Sequence, residues 1–221
     1  MEFIQWLKDK KYLLVFCICG LIFNYIAFTP GFLTPDSLAQ YEQSLSGQYG
    51  DWHPPVMAFI WHLLDKIHRG PQLMLLLQLG CLWGSGYLLL DTYKNRVWYF
   101  LIIIVLFAPF VQNFAGYIIK DSQMALCWLL AFSILFRTIV IERKISKVAA
   151  AFSLLFLTYG AWVRPNALPG CIPLCFLWVW VTFNSVKTRN KTITAIIIFT
   201  FIILTQWIFT TQFIKPREAV N

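Results

Sequence analysis

Long apolar runs alternate with short polar connections along most of this chain. Seven runs approach the roughly 20 apolar residues that a helix needs to cross a bilayer. They cover residues 11–30, 72–92, 97–119, 122–141, 148–163, 167–185 and 192–214. This pattern predicts an all-α, polytopic transmembrane bundle of about seven spans, with residues 1–221 forming one membrane domain. The fifth run is short, and the last three runs also fit fewer spans with a re-entrant segment.

The longest connection, residues 31–71, is predicted to form two interfacial helices. Thr34 is a good N-cap and Pro35 a good first residue, so one helix should begin at Pro35. After Pro54 the apolar residues recur on one helical stripe, with polar residues beside it. An amphipathic helix of this kind lies in the membrane interface and does not cross it.

The composition supports a lipid environment. Of the residues, 59% are hydrophobic and 13% are charged, whereas soluble domains have about 45–50% and about 25%. These values exclude an ordinary soluble domain, a disordered chain and a coiled coil. The six cysteines lie within apolar runs, so neither a disulfide framework nor a zinc site is indicated, and no metal site is predicted.

The distribution of Lys and Arg predicts the orientation of the spans. The net charge is +8, and in a membrane protein such an excess reports on topology before it suggests a nucleic-acid partner. One side receives 12 of the 18 basic residues. They are Lys8, Lys10, Lys11, Lys94, Arg96, Arg137, Arg143, Lys144, Lys147, Lys187, Arg189 and Lys191. The N-terminal tail, residues 1–10, is therefore predicted to be cytoplasmic, and residues 31–71 and the C-terminal tail, residues 215–221, external.

Asp36 follows the first run on the predicted outer side. An acid in the first turn of a helix is stabilised by the helix dipole, which is one explanation for it. The alternative is a general base at the membrane surface, where a carboxylate takes a proton from an acceptor hydroxyl.

Lys120 and Asp121 follow the third run on the same predicted side. Asp121 could be the N-cap of the next helix, with Lys120 reaching to the lipid headgroups. Alternatively, Lys120 holds a lipid-linked phosphate and Asp121 orients it.

Arg164, Pro165 and Asn166 form the tight turn between the fifth and sixth runs. An interfacial Arg followed by a helix-starting Pro is the simpler explanation. The functional explanation is that Arg164 binds a phosphate group, because a guanidinium can donate two parallel hydrogen bonds to phosphate oxygens.

His53 lies in a compact segment, Asp51 to Pro55, that two prolines stiffen. It could be a simple loop-to-helix connection with an interfacial Trp, or the rigid mouth of a sugar or phosphate site. Asp91, near the end of the second run, is predicted to be an ordinary interfacial residue.

Together these elements resemble the GT-C class of integral-membrane glycosyltransferases, and more narrowly the bacterial relatives of protein mannosyltransferases and lipid A aminoarabinose transferases. The matching elements are Asp36 in TPDS, His53 in HPP, Asp121 in KDS and Arg164 in RPN. The resemblance runs from about residue 10 to about residue 185, and the order and spacing of the elements together carry it.

This resemblance implies an inverting transfer of a sugar from a polyprenyl-phosphate donor to an external glycolipid or cell-envelope glycan, in a bacterial inner membrane. Asp36 and Asp121 would be catalytic, and His53, Lys120, Arg164 and Asn166 would bind substrate. No cofactor is implied, although some relatives use a divalent metal. Members of the class usually have more spans, so a short relative or a partner chain supplying the missing spans is also implied.

Two other functions compete with this one. The first is a non-catalytic membrane protein, either a degenerate relative or a subunit of a larger transferase. The second is a small lipid transporter or flippase, which would need ionisable residues deep within its spans. The charged residues here cluster at the ends of the runs, which disfavours the transporter.

Overall fold

Helices account for most of the residues that a computed structural model describes, which are 10–50, 52, 54–93, 95–183 and 187–214. The helices are α1 (Lys10–Phe28), α2 (Pro35–Ser46), α3 (Val56–Asp65), α4 (Gln72–Thr92), α5 (Arg96–Phe107), α6 (Pro109–Gly116), α7 (Lys120–Arg137), α8 (Lys147–Val163), α9 (Leu168–Thr182) and α10 (Thr188–Ile208). Short π-helical segments continue α7 over Thr138–Glu142 and α10 over Phe209–Ile214. Within the described ranges no strand is formed, and the prediction of an all-α protein is confirmed.

Within the described residues, five helical segments are long and apolar enough to cross a membrane. They are Lys10–Phe28, Gln72–Thr92, Lys120–Glu142, Pro165–Thr182 and Thr188–Gln212. A sixth is obtained if α5 and α6, which are bent by 48° relative to each other, count as one span. Two further apolar helices are shorter: α3 has 10 residues and α8 has 17. These helices indicate a multi-pass membrane protein, whereas the count of about seven spans stays a prediction.

Pro109 explains why residues 97–119, predicted as one run, form two helices. A proline ring has no N–H to donate and disfavours helical backbone in the residue before it. Ala108 accordingly is extended, with φ −60° and ψ 134°, and α6 begins at Pro109. The bend therefore follows from local chemistry that the apolar pattern alone does not reveal.

One end of the bundle, here called the loop end, holds the connection between α1 and α4. Phe32 N donates to Gly116 O at 3.0 Å, which joins the end of α1 to the end of α6. The Phe59 ring on α3 meets that of Phe209, after α10, with centroids 5.2 Å apart. Arg164, after α8, also lies at this end because it contacts the first turn of α7.

The opposite end is joined by an ion-pair cluster around Asp91, near the end of α4. Arg137 donates to Asp91 Oδ2 from Nε at 2.9 Å and from Nη2 at 2.8 Å. Lys10 Nζ, at the start of α1, lies 3.7 Å from the same oxygen. Only 8% of the Asp91 side chain is exposed, so this residue holds three helices together and is more than an ordinary interfacial acid.

Two buried glutamines fix the backbone between α6 and α7. Gln78 Nε2 donates to Tyr117 O at 3.0 Å, and Gln123 Nε2 donates to Gln78 Oε1 at 3.0 Å. Ile118 N in turn donates to Phe32 O at 2.9 Å. Burying an amide group costs free energy unless it forms hydrogen bonds, and the bonds made by these two glutamines anchor the segment that leads into Lys120.

The predicted helix start at Thr34 and Pro35 is confirmed. Thr34 Oγ1 accepts a hydrogen bond from Ser37 N at 3.2 Å, and α2 ends at Gly47, whose φ of 66° suits a residue without a side chain. Asp65 joins α3 to α2 by accepting from Ser44 Oγ at 2.9 Å. Burial, with a smaller contribution from the nearby Asp65 carboxylate, raises the pKa of Tyr41 in this interface.

Candidate functional site

An acidic cavity of about 290 Å³ opens at the loop end, between the start of α2 and the start of α7. We call it the acid cavity. Asp36 and Gln40 line it from α2, and Lys120 and Asp121 line it from α7. The hydrogen bonds between Phe32 and residues 116 to 118 hold these two helix starts side by side.

A second cavity, of about 340 Å³, lies next to the first and is lined by cationic and neutral polar side chains. We call it the cation cavity. Its polar lining residues are Lys120, Arg164, Asn166, Gln206 and Thr210, with Trp52 at its mouth. The Trp52 side chain is 79% exposed, so one wall of this cavity is an open aromatic surface.

Lys120 and Arg164 connect the two cavities. Lys120 lines both of them. Arg164 Nε lies 3.0 Å from Asp121 Oδ1, so a residue of the cation cavity pairs directly with a residue of the acid cavity. Carboxylates and cations that come from separate connections of the chain thus lie in one continuous region.

The local backbone explains how Lys120 and Asp121 come to face the cavities. Ile119 is extended, with φ −129° and ψ 154°, and α7 begins at Lys120. Asp121 is therefore in the first turn and is not the N-cap, so the interpretation of Asp121 as the cap of this helix is wrong. In the first turn its carboxylate is stabilised by the helix dipole whatever its function.

The turn with Arg164 has equally simple local causes. Arg164 ends α8 with φ −134° and ψ 80°, and Pro165 begins a single 3₁₀ turn, Pro165–Ala167, before α9. Proline favours a helix start because it has no N–H to satisfy. The turn presents Arg164 and Asn166 to the same cavity.

His53, predicted to bind substrate, and the adjacent Asp51 lie outside the described residues. Their described neighbours Trp52, Pro54 and Pro55 line the cation cavity. Among the predicted site residues that the structure describes, Asp36 and Asp121 line the acid cavity. Arg164 and Asn166 line the cation cavity.

Three lining residues escaped the sequence analysis: Gln40, Gln206 and Thr210. Gln206 lies near the end of α10, and Thr210 lies in the π-helical segment that continues it, and both line the cation cavity. Phe209 between them packs on Trp162 and Phe59, with ring centroids 5.2 Å apart in each case. For Gln206 and Thr210 the available signal was the presence of polar residues in an otherwise apolar run, whereas Gln40 lies in a mostly polar helix and gave no such signal.

An apolar cleft of about 670 Å³ lies between α4, α5, α6 and α7. It follows the bent pair of helices from Trp98 to Phe114. Ser122 Oγ donates to Phe114 O at 2.7 Å, which connects this end of the cleft to the first turn of α7. The cleft therefore ends close to Lys120 and Asp121.

Among the residues that the structure describes, no group of three or more His, Cys, Asp or Glu side chains is arranged to hold a metal ion. His62 is instead part of the α2 and α3 interface, with Nδ1 2.6 Å from Ser44 O.

The chain matches no known family model, and it shows no match to a curated protein or to a solved structure. The resemblance to GT-C transferases therefore stays an expectation. What the site does has to be inferred from the two cavities and the cleft.

Proposed function

We propose that this protein is a membrane glycosyltransferase that moves a sugar from a polyprenyl-phosphate donor to an acceptor outside the membrane. The acceptor is a glycolipid or a cell-envelope glycan. We further propose that the chain crosses a bacterial inner membrane about seven times, with the loop end external and the N-terminus cytoplasmic. The predominance of basic residues at the opposite end supports that orientation.

The observation that carries the proposal is the contact between the acid cavity and the cation cavity. Lys120 lines both, and the Asp121 carboxylate lies 3.0 Å from Arg164 across their junction. Transfer from a phosphate requires an acid or base near the nucleophile and positive charge near the leaving group. The acid cavity supplies the acid or base, the cation cavity supplies the positive charge, and the two cavities adjoin.

In the proposed reaction the acceptor hydroxyl lies in the acid cavity. The Asp36 carboxylate takes its proton while the hydroxyl oxygen forms a bond to the anomeric carbon. The bond between that carbon and the phosphate oxygen breaks, and its electron pair leaves with the phosphate. Lys120 and Arg164 stabilise the negative charge that develops there, and attack opposite the leaving group inverts the anomeric centre.

The apolar cleft supports a lipid-linked donor. Its lining is almost entirely aliphatic and aromatic, and its end at Phe114 is one hydrogen bond from the first turn of α7. We propose that the polyprenyl chain occupies this cleft, with its phosphate reaching the cation cavity. Each methylene group of the polyprenyl chain that is buried against this lining contributes favourably to the binding free energy.

Transfer of labelled sugar tests this proposal. The full chain in nanodiscs is mixed with radiolabelled polyprenyl-phosphate sugars and a pool of glycolipid and glycan acceptors. Label should move to an acceptor, and the Asp36→Asn chain should leave it on the donor. Absence of transfer, together with absence of polyprenyl-phosphate binding, would refute the proposal.

A non-catalytic membrane subunit is the second candidate, and the Asp121–Arg164 ion pair favours it. That pair neutralises two of the charges on which the catalytic proposal depends. Under this alternative the pair only joins α7 to the end of α8. The same experiment separates the two candidates, because a subunit of this kind neither binds polyprenyl phosphate nor transfers the label.

A further inference from the structure

Trp52 presents an exposed indole ring at the mouth of the cation cavity. The residue is 79% exposed, as much as any large apolar residue that the structure describes. It lines the cavity together with Lys120, Arg164 and Asn166, so its accessible surface adjoins cationic and polar side chains. Covering this ring with an apolar surface is favourable. A ligand in the cation cavity can therefore gain binding free energy from the indole.

Membrane proteins also place tryptophans at the lipid interface, and Trp207 has the surroundings expected for that role. It is 61% exposed on α10, where Leu204 and Ile208 are exposed as well. Trp52 differs because it lies outside the helices and lines a cavity with Lys120 and Arg164. These polar surroundings favour a ligand over lipid as the group that covers the Trp52 ring.

The other groups of the cation cavity define the chemistry of that ligand. Lys120 and Arg164 attract an anion. Asn166, Gln206 and Thr210 can exchange hydrogen bonds with hydroxyl groups. The face of an aromatic ring is negative and attracts C–H groups, which are slightly positive. A pyranose ring carries C–H groups on its faces and hydroxyls on its rim, so a phosphate joined to such a ring matches the whole lining.

We propose that Trp52 is a specificity-determining residue, whose indole stacks on the sugar ring of a glycosyl phosphate in the cation cavity. This inference rests on the proposed function, in which that sugar belongs to the polyprenyl-phosphate donor. The sugar is bonded directly to the phosphate, so an aromatic ring in the same cavity as Lys120 and Arg164 lies within its reach. Stacking favours sugars whose ring faces carry axial C–H groups, as in β-glucose.

Prolines stiffen the wall of the cavity around the indole. Pro54 and Pro55 follow Trp52 closely in the sequence and line the same cavity, as does Pro165. A proline ring fixes the backbone angle φ, so this wall has less conformational freedom to lose when a ligand binds. The prolines therefore favour stacking of a sugar on Trp52.

Binding of two soluble phosphate monoesters tests the proposal. β-Glucosyl phosphate and glycerol phosphate carry the same charged group, and only the first has a pyranose ring. Each is measured as a radiolabelled probe on the full chain in nanodiscs, with empty nanodiscs subtracted. The wild-type chain should bind β-glucosyl phosphate more tightly. Trp52→Ala should weaken that binding roughly threefold to tenfold, as expected for one aromatic contact, and leave the binding of glycerol phosphate unchanged.

Two further variants serve as controls. Trp52→Phe keeps an aromatic face and should retain most of the preference for β-glucosyl phosphate. Trp207→Ala removes an exposed indole that does not line the cation cavity, and it should behave like the wild type. Because neither probe is a lipid, weaker membrane anchoring of the chain does not produce the expected difference between them.

Several outcomes overturn the proposal. One is a wild-type chain that binds the two probes equally, a comparison that needs no variant to fold. Another is Trp52→Ala with unchanged affinities, or with an equal loss for both probes. A third is tighter binding of uridine monophosphate than of β-glucosyl phosphate that Trp52→Ala abolishes, which would make the cavity a nucleotide site.

The inference and the proposed function can fail separately. A Trp52-dependent preference for β-glucosyl phosphate, in a chain that neither binds polyprenyl phosphate nor transfers sugar, refutes the proposed function and leaves the stacking site in place. Sugar transfer by a chain that lacks this preference refutes the role of Trp52 and leaves the proposed function in place.

Discussion

Arg164 Nε lies 3.0 Å from Asp121 Oδ1, at the junction of the acid cavity and the cation cavity. Both side chains are partly exposed, at 32% and 40%, and exposed ion pairs contribute at most about 1 kcal/mol. A phosphate that brings more charge can therefore compete with Asp121 for the guanidinium. The ion pair holds Arg164 at the junction of the two cavities and leaves its guanidinium able to bind a phosphate instead.

Arg164→Lys should weaken the binding of polyprenyl phosphate by roughly tenfold. The substitution keeps the positive charge but loses the planar, two-pronged donor, and a charge-assisted hydrogen bond contributes about 1.5–3 kcal/mol. Equilibrium binding of a labelled polyprenyl phosphate measures the change. Arg96→Lys, at the other end of the bundle, is the control. Equal affinities for Arg164→Lys and the wild type would mean that Arg164 does not contact the phosphate.

Asp36→Asn should reduce sugar transfer by roughly 10²–10⁴-fold, the usual contribution of a general base. The amide keeps the size of the side chain but accepts no proton. Donor binding should be unchanged, because Asp36 does not line the cation cavity. Glu42→Gln is the matched control, since Glu42 is an exposed acid on the same helix. Retained transfer in Asp36→Asn would leave the residue with a helix-dipole role only.

Ala125→Phe should block the apolar cleft and weaken the binding of a long polyprenyl phosphate by about tenfold or more, since overpacking costs 1–3 kcal/mol. Ala125 lines the cleft. Inorganic phosphate, which has no hydrocarbon chain, should bind equally well to the variant and the wild type. Leu155→Phe controls for added aromatic surface, because Leu155 is 60% exposed. If the variant binds the long polyprenyl phosphate normally, the chain of the donor lies elsewhere.

Labelling of single cysteines should determine the orientation of the chain. In a cysteine-free background, cysteines at Glu42 and near residue 218 should react with an impermeant maleimide in intact cells. Cysteines at Lys144 and Arg189 should react only after permeabilisation, because the basic connections are retained in the cytoplasm. If a cysteine at Arg189 reacts with the maleimide in intact cells, the seven-span arrangement is ruled out.

Asp91→Asn should destabilise the bundle by about 3 kcal/mol, near the lower end of the range for breaking a buried ion pair. The lower end applies because Arg137 retains its ion pair with Glu142. Thermal unfolding in nanodiscs measures the loss. Lys10→Gln should change stability far less, since the Lys10 side chain is 67% exposed and lies 3.7 Å from Asp91. Equal effects of the two substitutions would show that Asp91 does not anchor α7.

Much of this protein could be predicted from the sequence because the controlling physics is local. The length and spacing of the apolar runs predict the helices, and the short-range chemistry of Thr34 and Pro35 predicts where α2 begins. The alternation of connections also implies that Asp36, Asp121 and Arg164 lie at one end of the bundle. Whether these residues line two adjoining cavities depends on the distances between them, which the alternation of connections does not determine.

Tertiary structure decided which polar residues face those cavities. Gln40, Gln206 and Thr210 resemble any other polar residue in their helices, and whether they are buried depends on how each helix is rotated about its axis. That rotation is set by long-range packing, such as Phe209 on Phe59 and Trp162. The same reason applies to Asp91, whose partners Arg137 and Lys10 come from distant parts of the chain. Sequence patterns record periodicity along one helix, and only the folded chain determines what each face meets.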